Sequence, residues 1–461
     1  MTRKAWELER DMRQSAIPVD RRVNPSSWSQ QTGGSLGQDE MMRMLWRSRV
    51  PGSGAPECLY LEAAQSLENQ GYDESDAVSL IPLALEALDA QDTPRLRVLT
   101  GHYLNALFNA PRDENCLSLT YARPEGWEDV CDSLPGTALQ APAESAGAFD
   151  EQTLSGWIGQ LAGGAFGTAI EGYTGHRIAE VYGDVRSYVT APETMNDDVV
   201  YELALLDACD AHGREVSSRD IADEWLRQIP FGWSAEWVAL QNLRTGIMPP
   251  ASGTYRNPFS DWIGVQMRAM VCGMLAPGCP MEAARLAYLD GTVSHSAGGI
   301  YGGMYAAALT ALAYVRDDPH EMLREALSYV PQGTEYRAVV GECLDLMSHE
   351  TSPEGPLAWL ESRFEQYNWI HAYPNIAADA LALWYGDRDM TVSFSLLARC
   401  GLDVDCNAGL VGNVLGVMGG VPTAWAEPIG DCLETYVPGK ERLSIRALAE
   451  RTSKVSRVLL S

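Results

Sequence analysis

The chain has 461 residues, about three times a common single-domain length, so one large domain or two smaller ones are open to it. Its 46% hydrophobic and 21% charged residues are an ordinary globular balance with material for a large core. The 62 acidic residues against 34 basic ones give a formal charge of −28, which argues against nucleic acid, an anionic membrane surface or an unassisted phosphate ligand as partner.

Residues 1–14 are charged and lack the apolar stretch of a signal peptide, and no window approaches about 18 uninterrupted apolar residues. A soluble, cytoplasmic protein is the expectation. Residues 1–55 are polar, with Pro, Ser, Gly and Gln clustered at 24–38 and again at 51–56, which predicts a partly ordered arm with one short helix at 39–49. Two helical patterns follow, at 59–68 and at 77–88, the second with Val78, Ile81, Leu85 and Leu88 on one face. Residues 111–149 hold seven prolines or glycines and little periodicity, and predict a long connection. The chain thus divides into an arm and helical extension, 1–149, and a main domain, 150–461. In the main domain the stretches 199–211, 218–228, 281–289, 302–313, 357–366 and 376–385 all show helical apolar spacing, and strand-like runs are scarce. An all-α fold is the expectation.

Two helical stretches carry glycine stripes: Gly156, Gly159, Gly163 and Gly167 in one, Gly409, Gly412, Gly416 and Gly419 in the other. Glycine inside a helix costs roughly 1 kcal/mol relative to alanine, so the stripes point to closely packed backbones, and tight packing alone explains them. Carboxylates stand beside each stripe. Glu171 follows the first, Asn196-Asp197-Asp198 precedes the next helix, and Asp403-Val404-Asp405-Cys406-Asn407 leads into the second stripe. Adjacent carboxylates repel, so such clusters need solvent, a helix dipole or a cation. Helix capping by Asp198 or Asp405 is the plain explanation of each motif alone. A hard divalent cation such as Mg²⁺, held by oxygen ligands, is the explanation of the two together if the helices meet.

Other chemistries have less support. There is no GxxxxGK[ST] phosphate loop, no GxGxxG after a strand and no GxSxG elbow. Ten cysteines scatter without a CxxC pair, favouring reduced, buried thiols. His295 lacks a third partner for a Ser/His scheme, so a core role or one behind the site is favoured. His371 and Asn375 flank Pro374 at a helix entrance, where capping or local hydrogen bonding competes with ligand contact. The tryptophans, Trp225, Trp233, Trp237 and Trp262 among them, are core residues by base rate, though some could stack a base or pyridine ring.

Four motifs in order resemble the ADP-ribosylglycohydrolase family. The stretch from Gly156 to Gly172, GWIGQLAGGAFGTAIEG, resembles that family's opening helix, and Asn196-Asp197-Asp198 its first acidic metal motif. Trp262 to Arg268, Ala276 to Pro280, and Ser294-His295 to Gly302 resemble its central block, and Asp403-Val404-Asp405-Cys406-Asn407 running into Gly416 its closing metal motif. The resemblance covers about residues 150–425. It implies an all-α fold with one or two Mg²⁺ ions, or Mn²⁺, near the scissile ribose. Asp197, Asp198, Asp403 and Asp405 are then metal ligands with Asn196 a further candidate, while Glu171, Asp198 and Asp403 are the catalytic carboxylates. His295, Gly298, Gly299 and Tyr301 would bind substrate, the Gly298-Gly299 backbone cradling phosphate. There are departures: Asn196 stands where the family often has Thr, Cys406 likewise, and Gly164 where many relatives have Asp or Cys.

The implied reaction is hydrolysis of an N- or O-glycosidic bond at the anomeric ribose carbon of an ADP-ribosylated protein or small molecule. It passes through an oxocarbenium-like state that nearby carboxylates stabilise, with Glu171 or a motif aspartate as general base. Two alternatives stay open: an N-glycoside hydrolase of the same fold acting on a free nucleoside, nucleotide or NAD-derived metabolite, and a non-catalytic nucleotide-binding or structural member. A cation held by four or five of the carboxylates would invert the local sign and reconcile the acidic chain with an anionic sugar nucleotide.

Overall fold

The computed structural model describes residues 3–24, 37–134 and 149–461. Among them the chain is all-α. Its strands are two short antiparallel pairs, Ser48–Arg49 with Pro56–Glu57 and Leu433–Glu434 with Arg442–Leu443.

At the centre lie the two glycine-striped helices, Asp150–Gly167 and Val404–Gly419, packed directly against each other. A Cβ on Gly159 would stand 2.1 Å from the Gly412 carbonyl oxygen, and one on Gly163 would stand 1.8 Å from that of Ala408. The contact is reciprocal, since Gly412 would meet the Gly159 oxygen at 2.2 Å and Gly416 that of Ser155 at 2.4 Å. Any side chain at these positions would force the backbones apart. The stripes are not equivalent, however: Gly409 has nothing nearer than 3.8 Å and Gly419 nothing nearer than 4.0 Å. Helix Ala297–Ala313 packs against Val404–Gly419 and against Pro280–Gly291. From Gly298 to Ala313 it is buried on every side, which explains an alanine- and glycine-rich sequence without a polar face.

The N-terminal residues form a second, smaller apolar cluster, from Ala5 to Leu107, joined to the rest through Ala235, Val238, Phe259 and Trp262. Three differences from the sequence reading appear here. The expected short helix runs Gln38–Trp46, but a further helix, Ala5–Ser15, precedes it. Its buried face is Ala5, Glu9 and Arg13, so apolar periodicity is blind to it. The 16-residue helix Thr93–Phe108 was also unexpected; Asp92 caps it by accepting from the Arg95 N–H, with Pro94 in its first turn. The expected long connection contains a helix at Trp127–Ser133, and residues 135–148 of it lie outside the described residues.

Arg13 ties this part to the main core. Its guanidinium bonds Glu9 at 2.8 Å and Glu62 at 2.7 Å, donates to the Pro56 carbonyl, and reaches the Gly172 carbonyl at 3.2 Å. The turn at Gly172 has φ of +73°, and a Cβ there would lie 2.9 Å from that of Ala55. Glycine is needed for both reasons.

Candidate active site

The packed glycine helices bring the acidic motifs together. Gly167, the last residue of its helix, lies against the backbone of the next motif, where a Cβ would be 2.1 Å from the Asp405 nitrogen. Glu171 follows four residues later. Asp197 precedes helix Asp198–His212 and Asp403 precedes helix Val404–Gly419, yet neither side chain caps its helix. Asp198 and Asp405 lie inside the first turns, so capping does not account for the motifs.

What holds them is a set of short links. The Cys406 thiol donates to Asp198 Oδ1 at 3.5 Å, joining the two motifs. Burial and the surrounding carboxylates push that thiol well above its ordinary range, so it stays a neutral donor. Asn375 Oδ1 accepts from the Asp403 N–H at 3.2 Å and from Asn407 Nδ2 at 2.8 Å, while its amide donates to the Trp369 and His371 carbonyls. His371 caps its own helix by accepting from the Tyr373 N–H. Asn375 is therefore a brace for the second motif, and His371 the cap beside it.

Asp198, Asp403 and Asp405 are buried, Glu171 is 6% exposed and Asp197 half-buried. Burial first, and then the Asp405 and Asp403 charges, push Glu171 well above the usual carboxylate range. Burial followed by neighbouring carboxylates, Asp405 foremost, does the same to Asp198 and Asp403 and pushes Asp197 up to about 7. Glu171 Oε1 and Asp403 Oδ1 are buried without a hydrogen-bond partner, as is Asn196 Oδ1. Asp403, Asp405 and Cys406 can bring one donor atom each within 4.8 Å of one another. Buried, mutually repelling oxygens with unsatisfied atoms are the chemistry a hard cation relieves, and this donor set fits one. Asn196 stands apart from the cavity wall, its side chain against Gly164, where a Cβ would lie 3.0 Å from Nδ2.

These carboxylates floor a cavity of about 1010 Å³. One wall comes from the N-terminal part: Met41, Met42 and Met44, then Glu57 and Tyr60. Phe231, Trp233, Trp237, Glu236 and Tyr436 line the cavity as well. Glu236 is carried by a buried network. Arg268 donates to it at 2.7 Å, to Asp290 at 2.5 Å and to Ser294 Oγ at 2.8 Å, under the rings of Trp225 and Tyr201. Gly264 makes room for Glu236, since a Cβ there would be 2.0 Å from its Oε1.

The expected substrate loop does not reach this cavity. His295 is buried behind Glu236, its Nδ1 paired with Ser294 Oγ at 2.7 Å and its Nε2 3.8 Å from Glu236 Oε1. Burial and Arg268 hold its pKa well below the ordinary value, so the ring is neutral. The Gly298 N–H donates to the buried Asp261 carboxylate at 3.0 Å, and a Cβ on Gly299 would lie 2.4 Å from the Ser260 carbonyl. Tyr301 is buried in the same helix. The Gly298 N–H is thus engaged by an internal carboxylate. Conversely, Glu57, Glu236 and Arg268 escaped sequence reasoning. Arg268 lies in a quoted motif but its partners are 22 and 32 residues away in sequence.

Among the described residues no disulfide forms, and no single helix is long and apolar enough to cross a membrane.

Residues 146–458 match the family model described as ADP-ribosylglycohydrolase. A relative from Archaeoglobus fulgidus, an uncharacterized protein, is 23% identical over 289 residues, covering 59% of this chain and 90% of its own. A solved structure named ADP-ribosylglycohydrolase-related protein complex is 19% identical with a TM-score of 0.47, covering 68% of this chain and 99% of that one.

Proposed function

Because the chain belongs to the ADP-ribosylglycohydrolase family, we propose that it hydrolyses the glycosidic bond at the anomeric ribose carbon of an ADP-ribosylated substrate. The observation that carries this reading is the convergence of Glu171, Asp197, Asp198, Asp403 and Asp405 on one cavity floor, with Glu171 Oε1 and Asp403 Oδ1 unpaired.

One or two Mg²⁺ ions, or Mn²⁺, would be held by Asp197, Asp198, Asp403 and Asp405, with the Asn196 amide oxygen behind them. Such an ion acidifies bound water and holds sugar hydroxyls. Cys406 serves as a neutral hydrogen-bond donor that orients Asp198, because a thiol is a poor ligand for a hard ion. Glu171 is the general base. Glu171 lines the cavity, and burial together with the Asp405 and Asp403 charges raises its affinity for a proton, which suits it to accept one from the attacking water. Asp198 and Asp403 supply negative charge next to the carbon that becomes oxocarbenium-like. Asn375 keeps Asp403 in place by accepting its backbone N–H.

Incubation of the purified protein with ADP-ribosylated protein and Mg²⁺, with chromatography of the products, tests this. Release of ADP-ribose that stops on chelation is expected; turnover unchanged by exhaustive chelation would overturn the metal assignment. A second reading, hydrolysis of a free nucleoside- or nucleotide-like N-glycoside, is favoured by one observation: residues 38–60, outside the stretch shared with the family, line the same cavity.

A further inference from the structure

The wall contributed by residues 38–60 differs in character from the floor. Met41, Met42 and Met44 line it together with Tyr60, and Trp233 and Trp237 line the same cavity. Thioether and aromatic surfaces of this kind are matched by a flat ring. Set into the wall is one carboxylate, Glu57, which is 3% exposed. Trp233 Nε1 donates to its Oε1 at 2.8 Å and Ser48 Oγ to its Oε2 at 2.7 Å, so both oxygens are fixed by neutral groups. The Arg13 guanidinium that also feels Glu57 is already engaged by Glu9 and Glu62. Among the described residues Glu57 makes no ion pair; its carboxylate is oriented by neutral donors, in a cavity whose floor carries unpaired buried oxygens on Glu171 and Asp403. The cationic side chains on the cavity lining, Arg49 and Arg244, are both solvent-exposed.

We propose that this wall seats a flat, positively charged nitrogen heteroaromatic ring, carried as the leaving group of a free, low-molecular-weight riboside. The proposal rests on the glycoside-hydrolase reading and names its substrate class. Cation–π attraction and the Glu57 charge act on the same ring. A guanidinium would satisfy the charge but leave the methionine and tryptophan surfaces unmatched, and a neutral base would match the surfaces and leave Glu57 uncompensated. The cavity, about 1010 Å³, lies at the top of the range for small-molecule sites, roughly 300–1,000 Å³. The chemistry balances without a further reactant. The water oxygen bonds to the anomeric carbon, and the C–N bond breaks with its electron pair moving to the ring nitrogen. The ring leaves neutral, and the water's proton passes to Glu171.

The full-length protein, with Mg²⁺ present, is given three substrates: N-ribosyl-3-carbamoylpyridinium, the neutral nucleoside inosine, and a protein ADP-ribosylated on arginine. A fourth probe, N-methyl-3-carbamoylpyridinium, has the ring and charge but no glycosidic bond, and its binding is read by tryptophan fluorescence quenching. Expected are turnover of the pyridinium riboside and competitive binding of the N-methyl cation. Glu57→Gln should raise the KM of the first and the Kd of the second about tenfold, with any inosine KM unchanged. Trp237→Ala should do likewise and Trp237→Phe should restore most of the loss, which guards against a misfolded Glu57 variant. Turnover of inosine or ADP-ribosylated protein with neither binding nor turnover of the cations overturns the proposal and leaves the hydrolase reading standing. Binding of the N-methyl cation with no turnover of any substrate overturns the hydrolase reading instead. An equal effect of Glu57→Gln on inosine and the pyridinium riboside overturns the charge argument.

Discussion

Gly167 and Asp405 touch backbone to backbone: the position a Cβ would take on Gly167 is 2.1 Å from the Asp405 nitrogen. The helix that leads to Glu171 is thereby set against the start of the helix that Asp403 precedes and that carries Asp405 in its first turn. Gly167→Ala should therefore cost more than an ordinary overpacked core site, about 3 kcal/mol or more, and should move the acidic motifs apart. Gly409→Ala, on the same helix pair but with its nearest neighbour at 3.8 Å, should be neutral or stabilising by up to about 1 kcal/mol. Thermal melts and turnover on both variants check this; similar destabilisation by the two would refute the close-contact account.

Removing carboxylates from the floor should affect stability and activity in opposite directions. Asp403→Asn deletes one of several buried, mutually repelling charges. With a chelator present it should melt higher than the native chain, by the equivalent of about 1 kcal/mol. Its turnover, and that of Asp197→Ala combined with Asp405→Ala, should fall by about 10²–10⁴-fold. Full activity in the double variant would refute the proposed mechanism.

Arg268 is the sole cation in its buried network of Glu236, Asp290 and Ser294 among the contacts of the described residues. Arg268→Met should leave two buried carboxylates unpaired and cost about 3–5 kcal/mol in urea unfolding. Arg95→Met, which breaks only the exposed pair with Glu86, should cost less than about 1 kcal/mol.

His371 gives a pH signature. Burial holds its pKa down at about 3, whereas an unfolded histidine titrates near ~6.5. The unfolded chain therefore takes up a proton first. Stability from the neutral ring is complete above the unfolded value and is lost as pH falls below it, by about 1.4 kcal/mol per unit, until the folded ring protonates. Urea unfolding of the native chain and of His371→Asn, which can still cap the helix, should converge between pH 7 and pH 5. The buried carboxylates contribute equally to both proteins, so the difference isolates the ring.

The acidic floor was legible in the sequence because each motif is local: two or three carboxylates beside a glycine stripe are visible without knowing the fold. That the stripes pack together follows from their chemistry, but which glycines are needed does not; Gly409 and Gly412 look alike until their neighbours are placed. Glu57 and Glu236 were illegible, since nothing near them in sequence marks a site and their partners, Trp233 and Arg268, come from distant segments. The Ala5–Ser15 helix was illegible for another reason: its inward side chains are Glu9 and Arg13, which only a buried ion-pair network makes suitable for a core. The partner of the Gly298 N–H was illegible too, because Asp261, which accepts from it, stands 37 residues earlier in the chain.

The bond from Arg13 to the Gly172 carbonyl, next door to Glu171, bears on how such a chain can be altered over generations. A leading segment that merely preceded an enzyme could be shuffled, lost or replaced without consequence for the chemistry. Here the guanidinium that pairs with Glu9 and Glu62 also fastens the turn bearing the proposed base, so deletion would remove a buried ion-pair network and loosen that turn in one event. Grafting this segment onto another member of the family should therefore fail unless the Gly172 turn travels with it.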